Sequence, residues 1–362
     1  MQKIINQIEP GFTKKELGEV KNYLNSGGWI TEHKQTKFFE KNLARFIGRK
    51  YCVTFPNGTI TMSAVLHCLG IGNNDEVIVP GYTMIATANA ASFINAKTIL
   101  CDIEKNNLCM CPDDLKRKIN KKTKAVIYVT LNGRSGEIEK IRNICKSNKI
   151  YLIEDSAHSL GSYFKKKHHG NFGIAASMSF SMPKIITMGQ GGCVLTDSSS
   201  LKKKLERYKN FGRNNSGNDI HNYVGFNFKI TDMQAVLCNA QLKNIKSKIK
   251  KKREIFKSYY ENLKKNKNIK FYIFNKIETP WFVDIYVNNR ENLIKYLKSK
   301  NIMTRKVYPS ISSQKIYKNK FKLKNCEKIC KSGLWLPSSL NLKNKDIKNI
   351  SNEINNFYSK IK

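Results

Sequence analysis

The chain has 362 residues, with 65 Lys or Arg against 27 Asp or Glu and a formal net charge of +38. Hydrophobic residues make up 40% and the mean hydropathy is −0.48, enough apolar material for a large core at a length that predicts two or three domains. This excludes a small stapled scaffold and a disordered tail protein, and because only ten of the 65 basic residues are Arg, the charge reads as a solvated lysine-rich surface more than as the footprint of a nucleic-acid binder.

The opening MQKIINQIEPGFTKKELGEV has no apolar leader core, and no window approaches 18 uninterrupted apolar residues. A soluble, cytoplasmic protein without a membrane span is therefore expected. From about residue 50 to 200, short β-branched runs alternate with helical patterns. Strands are expected at YCVTF (51–55), EVIVP (76–80), KTILCDI (97–103), KAVIYVT (124–130), IYLIED (150–155), SMSFS (177–181) and GCVLTD (192–197). Helices are expected over 59–70, 84–95, 112–118 and 137–147. This rhythm predicts βαβ units and an α/β fold with a mostly parallel sheet covered on both faces, its ligand beyond the carboxyl ends of the strands.

From about 231 to 265 the pattern predicts one long helix whose lysine run faces water. The remainder, with strand-like FYIF and FVDIYV and helix-like RENLIKYLKSKN, reads as a smaller α+β domain. The division expected is a large domain over 1–245 and a small C-terminal domain over 246–362, with segment 1–25 a candidate to pack on the latter. The ten cysteines fall mostly inside apolar runs and read as buried thiols in a reducing compartment. Neither Cys109/Cys111 nor Cys326/Cys330 has a second pair or a His at zinc spacing, so no metal site is expected.

Five features stand at strand ends: Asn57-Gly58-Thr59, Glu154 to His158, Ser179 to Lys184 (SFSMPK), Gly189 to Gly192, and Gly225 to Lys229. A Gly-Thr at a strand-to-helix turn offers backbone N–H groups, a hydroxyl and a helix dipole to a phosphate, or is simply an N-capping threonine. An acid at the end of a buried strand can partner a cationic ring nitrogen, or is a solvated loop acid. The DSAHS stretch makes a poor Ser-His-Asp hydrolase, because there is no G-x-S-x-G elbow. Lys184 is one of 55 lysines, but its place past an apolar strand suits an amine whose pKa burial lowers toward Schiff-base chemistry. A phosphate cradle, a carboxylate and a lysine on successive strand ends are together what pyridoxal 5′-phosphate (PLP) demands.

With these residues the chain closely resembles the DegT/StrS-type sugar aminotransferases, fold-type-I PLP enzymes with an aspartate-aminotransferase-like large domain that act on nucleotide-linked keto sugars. The blocks GGWITEHKQTKFFEKNLARFIGRKYCVTFPNGT, DEVIVPGYTMIATANAASFINAKTILCDI, EDSAHSLG, SFSMPKIITMGQGGCVLTD, GFNFKITDMQAVLCNAQL, TRKVYPS and LWLPSSL carry the resemblance over nearly the whole length. It implies that Lys184 forms the internal aldimine and that Asp155 keeps the pyridine nitrogen protonated. By the same resemblance His158 contacts the ring hydroxyl, and Gly58, Thr59 and Ser179 hold the phosphate. Asn227 would reach the phosphate of a neighbouring subunit, which implies a homodimer with shared sites. A lysine at 184, where dehydrating members carry His, favours transamination.

Three positions depart from the pattern. Met84 replaces a stacking aromatic, Gln190 replaces a Glu, and Lys229 replaces an Arg, keeping charge but losing the planar fork. Ser312 and Ser313 also stand where a His often follows the YP stretch at Tyr308. The implied reaction carries an amino group from L-glutamate, through pyridoxamine phosphate, to a nucleotide-linked keto sugar, with C4 of a 4-keto-6-deoxyhexose of viosamine or perosamine type the preferred acceptor. Trp29, Thr31, Lys229 and Tyr308 are the substrate-binding candidates. The alternatives are a 3-keto sugar aminotransferase or dehydratase of the same family, and a basic nucleic-acid-binding or regulatory protein on a PLP scaffold. The nucleotide stays open among UDP, dTDP and GDP.

Overall fold

The computed structural model describes residues 4–214, 219–317 and 321–360. A seven-stranded sheet is built from β1 (Tyr51–Phe55), β2 (Glu76–Pro80), β3 (Lys97–Cys101), β4 (Thr123–Val129) and β5 (Tyr151–Asp155), then, after a small hairpin of β6 (Tyr163–Phe164) and β7 (Lys167–His168), β8 (Ala175–Ser179) and β9 (Gly192–Thr196). Its order is β1-β9-β8-β5-β4-β2-β3. Only β9 runs against the others: it pairs antiparallel with β1 and β8, while the remaining neighbours are parallel. The carboxyl ends of β1, β2, β5 and β8 therefore open on one edge.

Helices cover both faces, as two-sided burial of the strands requires. They are α1 (Lys14–Asn25), α2 (Lys34–Ile47), α3 (Gly58–Cys68), α4 (Ile85–Ser92), α5 (Pro112–Lys118), α6 (Ile138–Ser147), α7 (Ser199–Lys209) and α8 (Asp232–Lys243). Local chemistry sets several starts. Thr13 and Glu16 form a capping box on α1, Thr231 and Gln234 one on α8, and the Asn57 side chain accepts from the Ile60 N–H at the head of α3.

Past residue 244 come α9 (Ile245–Leu263), β10 (Ile269–Lys270), β11 (Val283–Val287), α10 (Arg290–Ser299), β12 (Arg305–Lys306), α11 (Lys324–Ser332), β13 (Gly333–Leu336) and α12 (Asn344–Ser359). The four strands form a second, antiparallel sheet, ordered β10-β11-β13-β12. The N-terminal residues reach it: the Ser338 N–H donates to the Gln7 carbonyl at 2.9 Å, and Ile5 exchanges bonds with Asn301 and Met303. Among the described residues, no helix is long and apolar enough to cross a membrane, and all ten cysteines are free thiols, eight of them buried.

Three local expectations are corrected. The long helix breaks at Asn244, whose conformation is non-helical (φ −107°, ψ 14°). Asn competes with the backbone for hydrogen bonds, and the break lets α8 bury Ala235 and Cys238 under the large sheet while the far half of α9 buries Ile255 and Tyr259 with the small one. FYIF is not a strand. The ladder stops at Lys270 because Arg134 engages the residues beyond it, its guanidinium donating to the Tyr272 carbonyl at 2.8 Å and lying 4.1 Å from the Phe274 ring. Strand β8 begins two residues before the expected SMSFS, at alanines whose weak strand propensity hid it.

Arg134 also joins the two sheets. It follows β4, and both its terminal nitrogens bond the Asp284 carboxylate of β11 at 2.9 and 2.7 Å, with both side chains almost fully buried. Breaking one partner strands a charge in the interior. Asp284→Asn is expected to lower the unfolding free energy by about 3–5 kcal/mol in urea denaturation, and a double Arg134→Met, Asp284→Leu chain to recover much of the loss.

Candidate active site

The parallel strands deliver their end residues to one place. Asp155 closes β5, and its carboxylate accepts from the Thr87 hydroxyl at 2.7 Å and from the Ala157 N–H at 3.2 Å. Burial pushes this carboxyl above its ordinary value, while those two donors and the nearby Lys184 pull the other way. Three residues on, His158 accepts the Asn132 N–H on Nδ1 at 3.3 Å, which assigns its proton to Nε2. Burial, reinforced by Lys184, holds the imidazole well below its usual range, so it stays neutral.

Lys184 lies in the connection between β8 and β9, which turns back when the Met188 N–H bonds the Phe180 carbonyl. Its ammonium sits 4.0 Å over the Trp281 ring. Burial lowers its pKa to about 7, with Asp155 acting to raise it and Arg305 to lower it. The Trp281 ring stacks on His158, centroids 3.9 Å apart and planes 14° from parallel, and Tyr308 lies 6.2 Å from the same imidazole. Tyr308 is itself held by Trp335, 4.8 Å away.

The head of α3 adjoins this cluster. Gly58 and Thr59 occupy the first turn, where helix N–H groups have no internal acceptor. A Cβ at Gly58 would lie 3.1 Å from the Ser179 Cβ, so a larger residue would push the end of β8 away by a few tenths of an ångström. At Gly192 a Cβ would lie 2.6 Å from the Asn57 carbonyl carbon, so β9 passes under the same turn only without a side chain. An enclosed space is lined by Ser156, His158, Ser179, Lys184 and Trp281. The buried Ser156 hydroxyl has no partner among the described residues.

Of the candidates from sequence, Lys184, Asp155, His158, Ser179 and Tyr308 come together, with Gly58 and Thr59 at their edge. Met84 heads α4 and is 43% exposed. Trp29 and Thr31 are exposed and bonded to each other, indole to hydroxyl. Asn227 pairs with Asn210, and Lys229 lies 4.6 Å over the Phe211 ring. Lys229 lines a different cavity of about 950 Å³, shared with Lys34, Lys37, Lys203, Arg207 and Arg213. Sequence reasoning missed Thr87, Asn132 and Trp281. Thr87 was within reach, since it sits in the PGYTMIATANA block, whereas nothing local marks Trp281.

A family model described as the DegT/DnrJ/EryC1/StrS aminotransferase family matches residues 10–355. The chain belongs to that family. Two curated relatives are named GDP-perosamine synthase. The one from Escherichia coli O157:H7 is 33% identical over 361 residues, covering 99% of both chains, and the one from Vibrio cholerae is 32% identical over 363 residues, covering 94% of this chain and 97% of its own. The fold matches that of an aminotransferase of pseudoaminic acid biosynthesis from Helicobacter pylori at a TM-score of 0.92 and 24% identity, over 99% of this chain and 100% of that one. The chain is thus a transaminase, with a large, mostly parallel sheet flanked by helices, and aminotransferases of this family are PLP-dependent.

An amine held down to about 7 weakens the fold that holds it. Below that pH it is charged in folded and unfolded chains alike and the desolvation penalty is complete; as pH rises toward 10.5 the penalty disappears. Lys184→Met in the cofactor-free chain is expected to raise the unfolding free energy by ~2 kcal/mol at pH 6, with no gain near pH 10.5, in urea denaturation at both pH values.

Proposed function

We propose that this aminotransferase moves the amino group of L-glutamate to C4 of a GDP-linked 4-keto-6-deoxyhexose, giving GDP-perosamine and 2-oxoglutarate. The observation that carries this reading is that two curated relatives, covering 99% and 94% of this chain, bear that one name. A lysine at 184, poised near neutrality at the mouth of the sheet, supports transamination over dehydration.

PLP fits the residues present. The unpartnered Ser156 hydroxyl, the close turn at Gly58 and the buried Asp155 carboxylate are groups that want a polar ligand. Gly58, Thr59 and Ser179 would hold its phosphate, Asp155 its ring nitrogen, the His158 Nε2–H its ring oxygen, and Met84 would pack on the ring. When bound, the cofactor supplies an electron sink that acidifies the bond at the carbon exchanging the amine.

The chain's own groups then handle protons. Asp155, its orientation fixed by the Thr87 hydroxyl, would hold a proton on the ring nitrogen. The Lys184 Nζ takes the proton from Cα of glutamate in the first half-reaction and delivers one to C4 of the sugar in the second. A pKa near 7 suits both directions, since the amine is then base and acid in comparable amounts.

Asn227 and Lys229 lie outside the space around Lys184, and we place them in the partner's site of a homodimer. Their segment exposes Ile220, Tyr223, Val224 and Phe226, at 66%, 53%, 76% and 43%, an apolar stretch suited to burial against a second copy. The cationic cavity beside Lys229 then offers charge to the nucleotide diphosphate, while Trp29, Thr31 and Tyr308 are the remaining substrate contacts.

Incubation of the purified chain with PLP, L-glutamate and GDP-4-keto-6-deoxymannose is expected to yield a C4 amine by NMR, with one 2-oxoglutarate per amino sugar. Lys184→Ala is expected to lower kcat by at least ~10³-fold. Conversion of UDP- or dTDP-linked ketones but not the GDP-linked one, or an amine at C3, would overturn the reading.

A further inference from the structure

The segment Thr279–Phe282 enters the site from the side of the small sheet, and Trp281 is its point of contact. Its ring lies against His158 and under the Lys184 ammonium. Its indole Nε1–H donates to the Pro183 carbonyl at 2.8 Å, one residue before Lys184. Its backbone is pinned at both ends. The Trp281 N–H reaches the Asn132 carbonyl at 3.3 Å, and Asn132 is the residue whose own N–H meets His158. The Trp281 carbonyl accepts from the Lys252 Nζ at 2.7 Å, and the same amine donates to the Ser338 carbonyl, also at 2.7 Å.

Lys252 is only 3% exposed, and both of these partners are neutral carbonyls. An ammonium is a costly clamp in the interior, and here it ties α9 to the backbone on which the indole is mounted. The loop carrying Lys184 needs such an anchor. Between Phe180 and Met188 it is held by the Lys184 N–H on Ser181, by the Thr187 N–H on Gln241 of α8, and by the indole on Pro183. Of these, only the indole bond fixes the loop from the small-sheet side.

We propose that Trp281 is a positioning residue for amino transfer: it fixes the Lys184 loop through Pro183 and walls the amine from water, while its face sets the plane of His158. The groups whose charge acts on the amine are Asp155 on β5 and Arg305 on β12, with the neutral His158 beside it and Tyr308 next to that imidazole; Trp281 is the apolar wall among them. The proposal rests on the transaminase role of Lys184 for its catalytic part only, because the amine's proton affinity is measured without substrate.

Two full-length variants separate the two actions. Trp281→Phe keeps a ring over the amine and loses the bond to Pro183; Trp281→Leu loses both. The first readout is the pH midpoint for trace acetylation of Lys184 in the cofactor-free chain, followed by peptide mass spectrometry. In Trp281→Leu the smaller side chain admits water and the midpoint is expected to rise by at least ~1 unit, since burial is the dominant cause of the lowered value, while Trp281→Phe stays within ~0.3 unit of the parent. The second readout is steady-state kinetics, where Trp281→Phe is expected to lower kcat about tenfold with KM for glutamate changed less than ~2-fold. A midpoint in Trp281→Leu that stays put or falls, or a Trp281→Phe enzyme with unchanged kcat, overturns the proposal. If the parent chain aminates no GDP-linked sugar, the functional reading fails while the acetylation midpoints still decide the role of the ring.

Discussion

Two opposite charges that water would normally separate are held at the ends of neighbouring strands. β5 and β8 pair in parallel register, Asp155 ends the first, and Lys184 comes shortly after the second. Burial drives the carboxyl's pKa up and the amine's down, each toward its neutral form, while each charge opposes the other's shift. Burial outweighs that mutual attraction for both groups. Holding such a pair requires fixed partners in place of solvent: the Thr87 hydroxyl and the Ala157 N–H donate to the carboxylate, and the Trp281 face receives the ammonium. A parallel sheet suits the task because its strand ends coincide on one edge, so side chains far apart in sequence meet without long loops.

The same strand shows how one pair of adjacent acids serves two purposes. Successive side chains on a strand point to opposite faces, so Glu154 and Asp155 cannot share a site. Asp155 turns toward Thr87 at the head of α4 and the Ala157 N–H, on the side of Lys184. Glu154 turns away and accepts the N–H groups of Gly170, Phe172 and Gly173 at 2.7, 2.6 and 2.9 Å, binding the segment that leads into β8. Asp232 does similar work beneath α2, accepting the N–H groups of His33, Gln35 and Thr36 and so tying the start of α8 to the start of α2. Acids such as these, scarce in a basic chain, serve backbone amides that would otherwise be buried without a partner.

The parts of this arrangement that were legible in the sequence are those with a repeating pattern. Most strands of the large sheet are buried on both faces and so appear as apolar, β-branched runs, from which a strand-end residue such as Asp155 can be read; alanine-rich β8 is the exception, and its end at Ser179 lay two residues before the expected one. The break at Asn244 was not legible, because its apolar spacing continues smoothly and only tertiary packing shows that two faces are needed. Trp281 was not legible either. It stands 97 positions after Lys184 in sequence, and its role depends on an indole N–H meeting one carbonyl, which leaves no periodic trace. Asn227 and Lys229 were reached only through the family resemblance, since within one chain their surroundings are Asn210 and Phe211, not the lysine.

The excess of lysine sharpens the same point. Most of these side chains lie at the surface, where an ion pair contributes little. Among the enclosed ones, three have fates that differ by context alone. Lys209 is surrounded by the Glu32 carboxylate and the carbonyl and hydroxyl of Thr54, so its charge is matched and it braces α7 against β1. Lys252 and Lys184 both have their proton affinity lowered to about 7 by burial. Lys252 commits its donors to two backbone carbonyls, which leaves it a fastener, whereas Lys184 has an aromatic face on one side and the pocket on the other. Lys184 thus keeps its weakened hold on a proton with no backbone carbonyl bonded to its amine among the described residues, and that difference in partners, more than burial, separates the two lysines.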